Sequence, residues 1–371
     1  MIFKQINVSN RIFGLDLMRT IAILMVLCSH ILWIYPRQTG IVSQLFTLFG
    51  FWGVEIFFVL SGFLIGKILF KMYVEDNFSY KSVFYFIQRR WFRTLPAYYL
   101  VLILNIIIAL VFNIQVDGSL YYFFFLQNFY STMLPFFPES WSLSVEEFAY
   151  LLTPFALLIG MLFLPSINKS KRFLYVVLFL ISIFTITKIG YYLATSNTTL
   201  LEWNVSLKAV VIYRIDAILY GILASWIFIN YPDTWKKIKI ELAFLACILI
   251  VIMYVGVGFF RILIDSYPFF WNVMYLPLTS IIFSLFLPIL SQWNVTNIWI
   301  LKPVTFISII SYSVYLLHYS VILQVMKYYF PTDSYSFNHL HVYTFLYLVI
   351  TLLLSWILYR FYEKPMTNLR K

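Results

Sequence analysis

The stretch RTIAILMVLCSH, residues 19–30, sets ten mostly apolar residues between an arginine and a histidine. The run is apolar enough to be a membrane span, yet each end carries a group that lipid disfavours. Read as a helix, the eleven steps from Arg19 to His30 make roughly three full turns at about 100° each. Both side chains therefore project from one face, about 16 Å apart along the axis. One helix face holds a permanent cation near one membrane surface and a titratable imidazole deep inside.

Working outward, the composition makes the bilayer the solvent. The chain has 371 residues, of which 62% are hydrophobic and 11% charged, with a mean hydropathy of +0.87. No water-soluble core needs that much apolar surface. The net charge of +11 could suggest nucleic acid. The basic residues cluster instead in short loops between apolar runs, which is the positive-inside pattern, so no nucleic-acid partner is expected. The two cysteines, Cys28 and Cys247, lie far apart in apolar stretches. They offer neither metal-ligand spacing nor a disulfide framework, and no metal is expected. Lys4 and Arg11 precede the first apolar run with no small-residue cleavage site after it, so that run reads as a retained span.

Apolar segments of spanning length fall near 14–35, 45–70, 95–115, 142–164, 173–194, 206–229, 241–258, 270–290, 304–327 and 341–361. The expected fold is therefore all-α, a polytopic membrane protein of about ten transmembrane helices. Alternate loops carry the bases. Lys71, Lys81, Arg89, Arg90 and Arg93 follow the second span, and Lys169, Lys171 and Arg172 the fourth. Lys236, Lys237 and Lys239 follow the sixth, Lys302 precedes the ninth, and Lys364, Arg370 and Lys371 close the chain. The opposite loops hold little beyond Arg37, Arg261 and Lys327. Both termini are expected to be cytoplasmic. The longest outer segment, 116–140, contains SLYYFFFLQNFY and LPFFPES with no Lys or Arg, and reads as an aromatic-rich segment in the interface. Residues 1–371 read as one membrane domain without a soluble appendage.

Orientation turns sequence position into depth. Arg19 lies about 7 Å above the cytoplasmic start of the first span, His30 about 24 Å up, and His318 about 20 Å up the ninth. Glu146, in WSLSVEEFAYLL, falls about 6–8 Å below the outer surface. Glu55, Arg214 and Asp216 come near mid-membrane, while Arg19, Arg89, Arg90 and Arg93 gather on the cytoplasmic side. This two-tier layout points to an anionic ligand entering from the cytosol and proton transfer in the outer half, since arginine forks suit phosphate and histidine titrates near neutrality. Plainer readings stand beside these. Arg90 and Arg93 also fit positive-inside anchors, and His318 fits a hydrogen bond between helices. Arg214 and Asp216, two residues apart, do not face each other, so each needs a partner elsewhere.

Six short motifs in order resemble one family. GLDLMRTIAILMVLCSH contains an arginine followed, after ten residues, by a histidine, together with Asp16. EIFFVLSGFLIG supplies Ser61 and Gly62, RRWFRTLP supplies Arg90 and Arg93, and WSLSVEE supplies Trp141 and Glu146. SYSVYLLH and the terminal YEKP complete the series. The set resembles the acyltransferase 3 family of integral membrane acyltransferases.

That resemblance implies a multi-pass protein of a bacterial-type cytoplasmic membrane. It implies transfer of an acyl group, most often acetyl, from cytosolic acyl-coenzyme A to the hydroxyl of a cell-surface glycan or its lipid-linked precursor. It further implies an essential role for His30, with Arg19, Arg90 and Arg93 tied to donor binding. Glu146 is the second catalytic candidate, either orienting His30 or meeting the sugar; alternatively it satisfies local donors. Asp16, Glu55, Ser61, Trp141, Arg214, Asp216 and His318 are candidate supports. An extended pantetheine arm of about 15–20 Å would match the helix rise from Arg19 to His30. His30 would act as general base or as an acyl-carrying nucleophile. Family membership leaves a non-glycan acceptor open. The competing class is a transporter or flippase of a polysaccharide precursor, but no repeated halves or paired broken spans are visible.

The alternation of loop charge generates one prediction. In a variant lacking Cys28 and Cys247, an impermeant thiol reagent applied to intact cells should label a cysteine at Ser131 and spare one at Lys81. The reverse pattern would overturn the orientation.

Overall fold

A hydrocarbon solvent cannot hydrogen-bond peptide groups, so apolar runs of this length cross it as helices that satisfy their own backbones. The computed structural model describes residues 11–36, 39–75, 77–116, 118–196, 199–294 and 296–370. Lys4, Arg37 and Lys371, invoked above for loop charge, lie outside the described residues. Among the described residues there are helices and no strands.

Among the described residues, nine helices are long and apolar enough to cross a membrane. They are α1 (Phe13–Ile34), α2 (Ile41–Val74), α3 (Tyr80–Val111), α4 (Pro138–Phe163) and α5 (Lys169–Ala194), then α7 (Lys239–Phe259), α8 (Phe270–Leu290), α9 (Ile298–Tyr329) and α10 (Phe337–Asn368). Between α5 and α7 lies α6 (Ile215–Asn230), apolar but short. The expected sixth span at 206–229 is thus corrected. Its first part is a π turn at Asn204–Lys208 and a 3-10 turn at Val211–Tyr213, and regular helix begins only after Arg214.

The physical reason is that other segments take up the backbone groups of this stretch. Val211 and Ile212 donate their N–H groups to the carbonyls of Asn128 and Phe129, at 2.9 and 3.2 Å. The Asn128 amide donates to the Ala209 carbonyl at 2.6 Å, and Thr187 donates to the Ile212 carbonyl at 2.8 Å. Irregular backbone is tolerated at membrane depth when protein covers it. The 116–140 segment, read as lying in the interface, is therefore split. Leu120, Tyr121, Phe124 and Tyr130 are exposed, whereas Tyr122, Gln127, Asn128 and Phe137 are buried and pack inward.

The middle of the bundle is set by α2, which packs along both α1 and α6. A Cβ on Gly62 would strike the Ile218 carbonyl, and one on Gly221 would strike the Val59 carbonyl. Glycine at both positions lets these backbones touch, the usual device of helices in lipid.

Four buried charges tie the same region. Arg214 of the α6 entry pairs with Glu55 of α2, and Ser280 of α8 donates to the other Glu55 oxygen at 2.9 Å. Lys188 of α5 pairs with Asp216 of α6. Each member is essentially inaccessible. Arg214 and Asp216 thus find separate partners on neighbouring helices, and Lys188 is a partner the sequence reading had passed over. Removing one member of a buried pair leaves an uncompensated charge, at a cost of about 3–5 kcal/mol. Glu55→Ala should accordingly lower the folded fraction in a detergent thermal-unfolding assay, and Glu55→Ala/Arg214→Met should recover part of the loss. Wild-type stability in Glu55→Ala would show that the pair does not hold α2 to α6.

Candidate functional site

Two cavities lie along α1, with Arg19 in the wall of one and His30 in the wall of the other. Val54 and Tyr315 line both, so the cavities adjoin. Tyr315 is fixed at this boundary: its hydroxyl donates to the Glu139 carbonyl at 3.0 Å and accepts from Ser142 at 2.6 Å.

The first cavity, about 100 Å³, gathers three guanidinium groups from two helices, Arg19 of α1 with Arg90 and Arg93 of α3. Arg90 and Arg93 are one turn apart on α3, which puts them on a common face. Neither is in a salt bridge among the described residues; Arg90 instead lies over the rings of Phe86 and Tyr150. Arg19 has a long 3.9 Å contact with Asp16 and donates to the Ser308 hydroxyl at 3.4 Å. Asp16 is otherwise occupied, gripped by the Arg11 fork at 2.5 and 2.7 Å and by Ser308 at 2.8 Å. Glu146 lines this cavity too, and accepts from Ser61 at 2.9 Å and Tyr150 at 3.0 Å. Glu146 and Ser61 therefore stand with the arginines and not beside His30. The chamber has a surplus of oriented cationic donors, the chemistry that holds phosphate or other anions.

The second cavity, about 930 Å³, contains His30 and His318. His318 is fully buried, and its Nδ1 lies 2.8 Å from the Tyr315 carbonyl, so Nδ1 carries the hydrogen and Nε2 accepts. His30 Nδ1 lies 3.2 Å from that Nε2 and 2.9 Å from the Val26 carbonyl. Both neighbours are acceptors, so His30 also carries its hydrogen on Nδ1. The His30 Nε2 lone pair is left free, with no hydrogen-bond partner among the described residues. The rings meet edge to face at 4.6 Å, and Tyr319 packs on His30 at 4.8 Å. Orientation of His30 thus comes from Val26 and His318. The interhelical hydrogen bond read for His318 and its candidate support of the site are one contact.

Local helix geometry makes this pairing. From His318 to Leu323, α9 widens into a π turn, a register frequent at functional sites. The Ser320 N–H turns outward and donates to Glu139 at 3.0 Å, while the Ser320 hydroxyl donates to the same oxygen at 2.5 Å. Glu139, at the start of α4, therefore grips the turn that carries His318.

The sequence reading missed Glu139 and Tyr315. Glu139 stands two residues before Trp141 of the WSLSVEE motif, which was the available signal. Trp141 itself lines the His30 cavity, whereas Glu55, Arg214 and Asp216 line neither chamber. Among the described residues no group of three or more His, Cys, Asp and Glu is placed to hold a metal ion.

The class defined by this fold is the polytopic helical membrane protein with chambers between its helices that hold arginine and histidine side chains. The family model described as an acyltransferase domain, that of the acyltransferase 3 family, matches residues 12–360, and the chain belongs to that family. The chain is 26% identical over 392 aligned residues to YrhL of Bacillus subtilis, which is named provisionally as a peptidoglycan O-acetyltransferase; the match covers 95% of this chain and 54% of that one. It is 29% identical over 181 residues to the peptidoglycan O-acetyltransferase OatA of Listeria monocytogenes, covering 44% of this chain and 26% of that one. To the O-acetyltransferase OatA of Staphylococcus aureus it is 25% identical over 344 residues, covering 85% and 52%. At most, then, the chain spans about half the length of these relatives. No solved structure matches it.

The tautomer assignment is testable without substrate. Diethylpyrocarbonate, which attacks unprotonated imidazole nitrogens, should modify His30 and the exposed His339 and His341 and leave His318 untouched, as read by peptide mass spectrometry. Modification of His318 with His30 spared would reverse the roles given to the two rings.

Proposed function

We propose that the chain moves an acetyl group from acetyl-coenzyme A on the cytosolic side to a hydroxyl of a cell-envelope glycan on the other side of a bacterial-type cytoplasmic membrane. The observation that carries the reading is that one rigid helix puts Arg19 into the arginine cavity and His30, with a free Nε2, into the larger, aromatic-lined one. Glycan as acceptor is favoured by the names of the relatives, two of which specify peptidoglycan.

Arg19, Arg90 and Arg93 would hold the nucleotide phosphates through charge-assisted bonds. The pantetheine arm would run the length of α1, about 16 Å of helix rise, to bring the thioester to His30. His30 Nε2 takes the proton of the acceptor hydroxyl as that oxygen attacks the thioester carbonyl. The tetrahedral intermediate collapses with loss of the coenzyme A thiolate, and the proton on Nε2 passes to that sulfur. An ester and a free thiol result, with no net proton released. His318 stabilises the imidazolium formed midway, because its Nε2 accepts from His30 Nδ1.

The test separates binding from chemistry. His30→Ala should lower turnover by about 100- to 10,000-fold, the usual contribution of a general base, with acetyl-coenzyme A affinity retained. Arg93→Ala should weaken donor binding by about tenfold or more, the equivalent of a lost charge-assisted bond. Wild-type activity should also fall toward acid pH as an imidazolium loses its capacity to accept a proton. Near-normal turnover in folded His30→Ala would end this mechanism, and transport without acyl transfer would favour the competing class.

A further inference from the structure

The His30 cavity holds one cationic side chain that the reaction described above does not use. Lys208, in the π turn Asn204–Lys208 before α6, is the single Lys or Arg among the residues lining that cavity. Its ammonium lies over the Trp141 ring at 5.4 Å and the Phe51 ring at 5.9 Å, and no carboxylate pairs with it among the described residues. The one carboxylate among the lining residues, Glu139, is committed through Oε1 to Ser320 and has its Oε2 buried, so it does not neutralise Lys208. Two other cations buried in the bundle are by contrast neutralised by a partner on a neighbouring helix, Arg214 by Glu55 and Lys188 by Asp216. An ammonium held on aromatic faces keeps its charge available while the rings restrict where it points. The rest of the lining is rich in aromatic rings, Trp33, Trp203, Trp271 and Tyr275 among them, with scattered hydroxyls and amides. Such a wall suits a saccharide, with flat apolar faces for ring C–H groups and polar groups for hydroxyls.

We propose that Lys208 reads a negative charge on the acceptor, so that the preferred acceptor is an anionic saccharide. This inference rests on the acyl-transfer reading, in which the second cavity receives the acceptor. A carboxylate on the sugar and a phosphate of a lipid carrier offer the same chemistry to an ammonium, and both are met in the experiment.

Purified full-length protein would be given labelled acetyl-coenzyme A and three acceptors: a neutral N-acetylglucosamine tetramer, the same tetramer oxidised to carry carboxylates, and the neutral tetramer on a polyprenyl diphosphate. Quenching of tryptophan fluorescence would report acceptor binding separately from turnover. Wild type should favour at least one charged acceptor over the neutral one by tenfold or more in kcat/KM and in affinity, and added salt should narrow the gap. Which charged acceptor is favoured identifies the source of the anion. Lys208→Met should erase the preference, and Lys208→Arg, which keeps the charge, should retain most of it. A preference unchanged in folded Lys208→Met would overturn the proposal, as would a wild type indifferent to charge. Charge-dependent quenching that vanishes in Lys208→Met, with no acetyl transferred to any acceptor, would uphold the anion site and overturn the acyl-transfer reading on its own.

Discussion

A polar group inside hydrocarbon has no water to fall back on, so every one must be satisfied by the protein itself. Much of this structure follows from that constraint. It explains why the charges of α2, α5 and α6 lock into pairs, why the entry to α6 is a broken backbone clasped by the 116–140 segment, and why two glycines let α2 and α6 close on each other. It also makes exceptions informative. Among the described residues, Arg90, Arg93 and Lys208 hold charges without a carboxylate in a salt bridge.

The geometry of α1 divides the work between the chambers. A helix is stiff over three turns, so the separation of Arg19 and His30 along its axis is fixed by the fold. Tyr315 and Val54 form the boundary between the two spaces, with Tyr315 pinned by Ser142 and by the Glu139 carbonyl. The π turn of α9 brings His318 against His30 in a single tautomeric arrangement, and Glu139 holds that turn by its backbone. The arginine chamber and the histidine pair are thus linked through two helices packed side by side.

The helical class, the positions of most spans and the Arg19–His30 spacing were legible in the sequence because each depends on local properties, namely apolar length and helix periodicity. Arg90 and Arg93 were legible for the same reason, being one turn apart. The sixth span was misread since hydropathy reports burial of side chains and says nothing of where a backbone's hydrogen bonds go. Val211 and Ile212 are as apolar as any helix interior, yet their N–H groups bond to residues more than eighty positions earlier. Glu146 was placed by depth in the outer half, a one-dimensional measure that cannot tell which neighbouring helix its carboxylate faces.

What the sequence determined by itself, then, is a solvent, a set of helices and two functional groups on one rod. Which groups share a chamber was decided by tertiary packing. His318 lies 288 residues from His30 and Glu139 lies 181 residues from Ser320, and no periodicity relates them. Their meeting depends on how α1, α4 and α9 pack, and on a helix register that widens by one residue at the turn where His318 stands. Side-chain identity sets what a group can do; in a membrane bundle, the neighbour that gives it a lone pair, a hydrogen or a counter-ion comes from another helix.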